Sequence, residues 1–199
     1  RLALDTPDWI LAAGDREATR VMDRARDRYA RADAAIRAAA DANPGLAGMG
    51  TTMTAARSVG AELVVAHVGH SRAYLVRGGE LRQLTRDHTL AQELVDQGRE
   101  TAEGARAHPF RRALTRVLGG TEEWAGADVT CADLCDGDQI LLCTDGLTDA
   151  VDPAAVAAAV RTAPTAAAAC DALIAAALAA GGLDNVTVAL ARYEIRPAP

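Results

Sequence analysis

The sequence predicts an α+β fold in which antiparallel strands pack against helices. A long amphipathic helical pattern comes first, several short strand-like segments follow, and two alanine-rich helical patterns precede a last strand. The strand-like segments are rich in Val, Leu and Thr, and glycines typical of tight turns separate them. No internal repeat or linker-like stretch divides the 199 residues, so we expect a single domain over residues 1–199.

Composition excludes several classes of function. Half of the residues are hydrophobic, but no apolar run approaches the ~20 residues of a membrane span. The net charge of −6 argues against a nucleic-acid partner, which usually leaves a basic footprint. All 21 basic residues are arginine, and the absence of lysine excludes Schiff-base chemistry. The four cysteines form no C-x-x-C pair, so we expect reduced thiols in a cytoplasmic protein.

The first half of the chain predicts helices and then strands. Thr6–Gly14 predicts a short helix. From Asp15, apolar residues at three- and four-residue steps predict a longer helix with its arginines on a solvated face, ended by Asn43-Pro44-Gly45. From Gly50 the pattern predicts a meander of antiparallel strands with a tight turn at Gly78-Gly79. The expected strands are Thr51–Ser58, Glu62–Val68, Arg72–Arg77 and Glu80–Thr85.

The second half begins with an irregular insert at about residues 86–112. It loses the strand pattern and predicts two short helices, Leu90–Gln97 and Thr101–His108, as a flap over a site. Strands and helices then resume. The expected strands are Leu114–Leu118, Asp128–Leu134, Gln139–Cys143 and Val186–Tyr193, and the expected helices are Pro153–Arg161 and Thr165–Ala180.

The most informative stretch surrounds Asp145. Gln139–Cys143 is a short apolar run that predicts a strand buried on both faces, and Thr144-Asp145-Gly146 follows it directly. Asp149 comes four residues after Asp145, so a helical turn would point both carboxylates to one side. Two carboxylates at a rigid strand end suit a hard cation, although Thr-Asp-Gly after a strand is also typical of a plain turn.

Five blocks of the chain resemble the PP2C (PPM) family of bacterial metal-dependent serine/threonine protein phosphatases, in the family's order and spacing. The resemblance implies an α-β-β-α sandwich of antiparallel sheets flanked by helices. It also implies a binuclear Mn²⁺ or Mg²⁺ site whose activated water hydrolyses a phosphoserine or phosphothreonine in a protein substrate. The blocks are Gly48–Thr52, Ala66–Leu75, Leu81–Thr89, Leu141–Asp149 and Gly181–Val188.

The same resemblance implies roles for three acids. Asp145 and Asp184 match metal-binding aspartates of the family, and Asp149 matches the acid that helps to hold a third metal. Each of the first two follows or precedes a predicted core strand, so we expect the sheet to bring them together. Taken alone, Asp184-Asn185 is also typical of a capping turn before a strand. No side chain of this chain matches a catalytic residue.

The chain departs from the family pattern in two ways. The family's N-E-D and D-G-M-G-G-H segments have no counterpart in it, so we expect missing N-terminal strands, an incomplete ligand set and impaired or absent activity. The family's G-D-S-R reads Gly69-His70-Ser71-Arg72, and we expect His70 to weaken the third metal site. The alternative is a catalytically dead pseudophosphatase that acts as a regulatory or partner-binding module.

The remaining histidines carry no predicted function. We expect His67 to be packed within its strand. We expect His88 and His108 to be solvated, because both fall in or near the charged insert.

Overall fold

The computed structural model describes residues 17–121 and 123–195 of the chain. The helix expected at Thr6–Gly14 and the tail Arg196–Pro199 lie outside the described residues. Helices and antiparallel sheets make up the rest, which confirms the α+β class. None of the described helices is both long and apolar enough to cross a bilayer.

The chain folds into two compact units, each built from two separate stretches of sequence. Unit 1 comprises the described parts of Arg1–Val68 and Arg116–Asp133, and unit 2 those of Gly69–Thr115 and Leu134–Pro199. The elements in chain order are α1 (Glu17–Ala42), β1 (Gly50–Thr51), β2 (Met53–Val59), β3 (Glu62–Val68), β4 (Arg72–Arg77), β5 (Glu80–Gln83), α2 (Leu90–Asp96), α3 (Ala102–Ala107), β6 (Leu118–Gly119), β7 (Asp128–Asp133), β8 (Gln139–Cys143), α4 (Asp145–Thr148), α5 (Pro153–Thr162), α6 (Ala166–Ala179) and β9 (Val188–Arg192).

Helix α1 anchors unit 1 through a buried face at helical spacing. Its Tyr29 is fully buried, and the hydroxyl donates to the carbonyl oxygen of Ala66 at 2.8 Å. One turn later, a carboxylate oxygen of Asp33 accepts from the Gly119 amide at 2.7 Å. Arg37 pairs with Asp33 at 2.8 Å and donates to the Gly119 carbonyl at 2.9 Å. The expectation of a purely solvated arginine face is therefore wrong for Arg37.

The predicted meander is wrong, because its strands belong to two different sheets. In unit 1 the order is β2-β3-β7, and in unit 2 it is β5-β4-β8-β9. Strand β3 is almost entirely buried, so it needs a hydrogen-bonded neighbour on both edges, and β7 provides the second one. The hairpin at Gly78-Gly79 is confirmed: Arg77 pairs with Glu80, and the two glycines have φ of 58° and 89°.

The strand predicted at Leu114–Leu118 is also largely wrong. Leu114 forms an isolated bridge with Thr89, whereas Leu118 pairs with Thr51 in the short β1–β6 ladder. Each end of the apolar pattern has a different partner, so no continuous strand forms. This segment is also where the chain passes from unit 2 back to unit 1.

The core of unit 2 lies on strand β8, as the apolar run predicts. β8 is hydrogen-bonded to β4 on one edge and to β9 on the other, and its central Leu141 is fully buried. Side chains from α4, α5 and α6 pack against it, including Leu147, Val156, Val160 and Leu173. The end of β8 is therefore a rigid point from which Asp145 projects.

Candidate functional site

The β8–α4 junction places the first candidate acid. Asp145 is the first residue of α4, which is a single turn, and Asp149 is the residue that caps its end. The amide of Asp149 donates to the Asp145 carbonyl at 2.8 Å, which closes this turn. The helical turn expected between the two acids is present.

A second segment, residues 184–187, is locked against this junction. The Thr187 amide donates to the Thr144 hydroxyl at 3.0 Å, and that hydroxyl donates to the Asn185 carbonyl at 3.2 Å. Gly146 permits the approach, because a Cβ there would overlap the Asn185 carbonyl oxygen and lie 3.0 Å from its carbon. Asp184 is thereby held beside the strand end that carries Asp145.

The capping expected for Asp184 is also present. A carboxylate oxygen of Asp184 accepts from the amide of Asn185 at 2.7 Å. The other oxygen faces a cation, so the capping turn and a binding role are compatible in this carboxylate.

Arg112 is the residue around which the three acids converge. Its Nη2 lies 2.8 Å and its Nε 2.9 Å from one oxygen of Asp149. Its Nη1 lies 3.3 Å from Asp184, and its Nε lies 3.9 Å from Asp145. The hydrogen bond to Asp149, followed by the charges of all three acids, raises the pKa of the Arg112 guanidinium. One cation is thus shared by three carboxylates from separate parts of the sequence.

Asp145 has a further hydrogen-bond partner in His70. The His70 Nε2 lies 2.9 Å from the same Asp145 oxygen that faces Arg112. This hydrogen bond lowers the pKa of the Asp145 carboxyl and raises that of the His70 imidazole. Among the described residues, nothing hydrogen-bonds the buried Nδ1 of His70. The residue at the family's aspartate position is thus an ion-pair partner of a candidate ligand.

The base of the insert is fixed by backbone hydrogen bonds. The Leu90 amide donates to the Ala113 carbonyl at 2.9 Å, and the Thr115 amide donates to the His88 carbonyl at 2.9 Å. The His88 side chain is buried and its Nδ1 accepts from the Gly69 amide at 3.1 Å, so the expectation of a solvated His88 is wrong. The sequence of the insert is charged, but residues at its start, such as His88, are buried because they form the hydrogen bonds that close its base.

An arginine of β4 forms an ion pair with an aspartate at the start of the insert. Arg72 contacts both carboxylate oxygens of Asp87, with its Nη2 at 2.6 Å and its Nε at 2.9 Å from them. Tyr74 accepts from Arg72 at 3.2 Å, and Gln83 donates to Asp87 at 3.2 Å. A bidentate pair of this kind orients the Asp87 carboxylate as well as balancing its charge.

These residues line a cavity of about 330 Å³ within unit 2. Its walls come from β4, from both helices of the insert and from the segment that follows β8. His70, Arg112, Asp145 and Asp149 are among the lining residues. The insert therefore borders the cavity that contains two of the candidate acids.

The thiol closest to the site in sequence does not serve as a nucleophile. Cys143 is buried at the end of β8, and burial raises the pKa of its thiol to about 12. It stays protonated at neutral pH and packs as a small apolar group, as the sequence predicts.

The donor atoms are of the kind that Mn²⁺ and Mg²⁺ prefer. Asp145, Asp149 and Asp184 offer carboxylate oxygens, and all three already face one positive group. Within residues 17–121 and 123–195, however, no three acid, histidine or cysteine side chains are grouped closely enough to hold a metal ion directly. The carboxylates suit a hard cation chemically, but in this structure they are arranged around the guanidinium group of Arg112.

Sequence reasoning does not single out Arg112. It lies in a charged insert beside Arg111, and solvation is the usual explanation of such an arginine. The signal in the sequence is weak: three acids without lysine nearby need a cation, and only the fold shows which arginine provides it.

Comparison with known proteins assigns this chain to a family. A family model described as protein phosphatase 2C matches residues 7–95. The serine/threonine protein phosphatase PstP of Mycobacterium tuberculosis is 44% identical over 172 residues, which cover 83% of this chain and 33% of that protein. The chain therefore spans about a third of the length of this curated relative.

Solved structures agree with the sequence comparison. The crystal structure of the Mycobacterium tuberculosis phosphatase PstP/Ppp matches with a TM-score of 0.76 and 44% identity, over 82% of this chain and 68% of that one. The PstP catalytic domain in complex with two manganese ions matches with a TM-score of 0.69 and 42% identity, over 79% of this chain and 64% of that one. These similarities confirm the fold class expected from the sequence blocks.

Proposed function

Because the chain belongs to the PP2C (PPM) family of protein phosphatases, we propose that it provides part of a metal-dependent site that dephosphorylates phosphoserine or phosphothreonine in proteins. The observation that carries the proposal is the convergence of Asp145, Asp149 and Asp184 on one cation, Arg112. A related catalytic domain is in complex with two manganese ions, which supports Mn²⁺ or Mg²⁺ as the cofactor.

Each acid has a distinct task in this proposal. Asp145 and Asp184 would hold one divalent cation, and Asp149 would help to hold a more loosely bound one. When bound, such cations activate water and neutralise charge on the phosphoryl group. The hydrogen bond from His70 lowers the pKa of Asp145, which favours the charged form of that carboxylate.

Impaired activity of this chain remains our prediction. The candidate ligands that we identify in the described part of the chain are three aspartates, and their oxygens already contact Arg112 and, for Asp145, His70. We expect Mn²⁺ to bind weakly and turnover to be slow.

The test is Mn²⁺ titration by calorimetry with phosphate release from a small aryl phosphate in parallel. We expect measurable Mn²⁺ binding that Asp145→Ala abolishes, together with slow Mn²⁺-dependent release that the same change removes. The matched control is Asp171→Ala, because Asp171 is an exposed aspartate of α6 away from the cavity. Loss of binding in the control as well, or equal binding in Asp145→Ala, would contradict the metal site.

A pseudophosphatase is the second candidate, and the His70–Asp145 pair favours it. A histidine at this position occupies an Asp145 oxygen that a metal would otherwise use. Mn²⁺ binding without any phosphate release would support this regulatory or partner-binding role. Phosphate release that depends on both Mn²⁺ and Asp145 would eliminate it.

A further inference from the structure

Arg112 has a contact pattern that sets it apart from the other arginines of the insert. Three of its nitrogens face carboxylates of three acids at 2.8 to 3.9 Å. Arg111 reaches one of these acids, Asp149, at 3.5 Å. Arg99 donates to the neighbouring Gln97 and lies outside the cavity lining. Arg112 is therefore the insert arginine whose contacts extend to all three acids.

The position of Arg112 is set by the base of the insert. It directly precedes Ala113, whose carbonyl accepts from Leu90, and the Thr89–Leu114 bridge follows. Its side chain is exposed, at 38%. The closed base thus places the backbone of Arg112 within side-chain reach of the acids.

The oxygens that hold Arg112 are those a divalent cation would need. One oxygen of Asp149 receives two nitrogens of Arg112, and one oxygen of Asp184 receives the third. A divalent cation and a guanidinium cannot both occupy this space, because they would repel each other at a few ångströms.

We propose that Arg112 is an internal cation that competes with divalent metal for Asp145, Asp149 and Asp184. Metal binding then requires Arg112 to leave, and the insert that carries it must give up these contacts. Because coupling between two bound groups is reciprocal, the Arg112 contacts and a bound metal ion weaken each other by the same factor. The inference rests on the metal site of the proposed function and adds a regulator built into the same chain.

The experiment compares Mn²⁺ affinity by calorimetry in the full chain and in Arg112→Ala. We expect Arg112→Ala to bind Mn²⁺ about tenfold more tightly, since partly exposed ion pairs are individually modest but three are removed together. Arg112→Lys keeps the positive charge but loses the planar guanidinium that contacts several carboxylates. Its Mn²⁺ affinity should therefore fall between those of the unmodified chain and Arg112→Ala. Arg99→Ala removes an arginine from the same insert and should bind like the unmodified chain.

Thermal unfolding in EDTA provides a second readout that does not depend on metal or activity. Without metal, Arg112→Ala leaves three carboxylates facing one another, so its Tm should fall by several degrees. In a separate experiment without EDTA, Mn²⁺ should raise the Tm of Arg112→Ala more than it raises that of the unmodified chain.

The outcomes separate this inference from the proposed function. Mn²⁺ binding that Asp145→Ala abolishes but Arg112→Ala leaves unchanged would overturn the competition and keep the metal site. Failure of both the unmodified chain and Arg112→Ala to bind Mn²⁺ would overturn both. Binding by Arg112→Ala alone would be the strongest support for the competition.

Discussion

Asp138 illustrates how a single residue can stabilise this fold without belonging to the site. Its carboxylate is 1% exposed and accepts from Arg77 at 2.9 and 2.8 Å and from the Cys135 amide at 2.7 Å. The Arg77 hydrogen bond is the main reason why the pKa of Asp138 is lowered, since burial acts in the opposite direction. The residue anchors the turn that precedes β8.

We expect Asp138→Asn to lower the free energy of unfolding by about 2 kcal/mol at pH 7, as for other hydrogen bonds to charged groups. The folded-state pKa lies below the unfolded value of about 3.9, so the ion pair adds stability above that pH. The contribution is lost as the pH falls through the folded pKa. Urea unfolding between pH 7 and pH 3 measures the effect.

Asp171→Asn is the matched control for this prediction, since its carboxylate is exposed on α6. It should change the free energy of unfolding by less than about 0.5 kcal/mol at every pH. If the difference in unfolding free energy between Asp138→Asn and the unmodified chain stayed constant down to pH 3, the lowered pKa assigned to Asp138 would be wrong.

At the scale of elements, the contact between α4 and the segment before β9 decides whether the acids meet. Gly146 is buried in α4, and the Asn185 backbone passes so close that no side chain fits between them. Thr144 adds two hydrogen bonds across the same contact. These interactions hold Thr144-Asp145-Gly146 against Asp184-Asn185.

We therefore expect Gly146→Ala to destabilise the protein by about 2 kcal/mol, although alanine is intrinsically favoured in helices by about 1 kcal/mol. The added methyl group must push residues 184–187 away from the end of β8. Chemical denaturation measures the loss of stability.

Gly104→Ala is the control for this change, because Gly104 lies in α3 and a Cβ there would meet mainly the flexible side chain of Glu100. It should be neutral or slightly stabilising. If Gly146→Ala were also neutral, the close approach of Asn185 would not be what requires glycine at this position.

At the scale of the whole molecule, each unit has its own apolar core. Unit 1 relies on α1 packed against β3 and its neighbours, around Tyr29 and Val68. Unit 2 relies on β8 covered by α4, α5 and α6, around Leu141 and Leu173. The candidate acids and Arg112 all belong to unit 2. The single-domain assignment for residues 1–199, with its insert at about 86–112, remains a prediction.

We expect Leu141→Ala to cost about 3 kcal/mol of unfolding free energy, because it opens a cavity in the fully buried centre of the four-stranded sheet. Leu178→Ala is the control, since Leu178 is 62% exposed, and it should cost less than about 0.5 kcal/mol. Equal effects in urea unfolding would mean that β8 is not the centre of the core.

The sequence alone was sufficient for features that depend on local pattern. Apolar spacing predicted α1 and β8, the glycine pair predicted the turn at Gly78-Gly79, and the collinear blocks predicted the family. These features could be predicted because short-range geometry and periodicity determine them. The acid positions followed from the same blocks, and their metal-binding role stays a proposal.

Only the tertiary structure decided which groups meet across the chain. The separation of β3 from β4 depends on pairing with β7 and β8, which lie far along the sequence. The convergence of Asp145, Asp149 and Asp184 on Arg112 depends on closure of the insert and on the absence of a side chain at Gly146. Long-range pairing and electrostatic partners leave no periodic trace in a sequence, because any of several arginines could satisfy the same acids until the fold selects one.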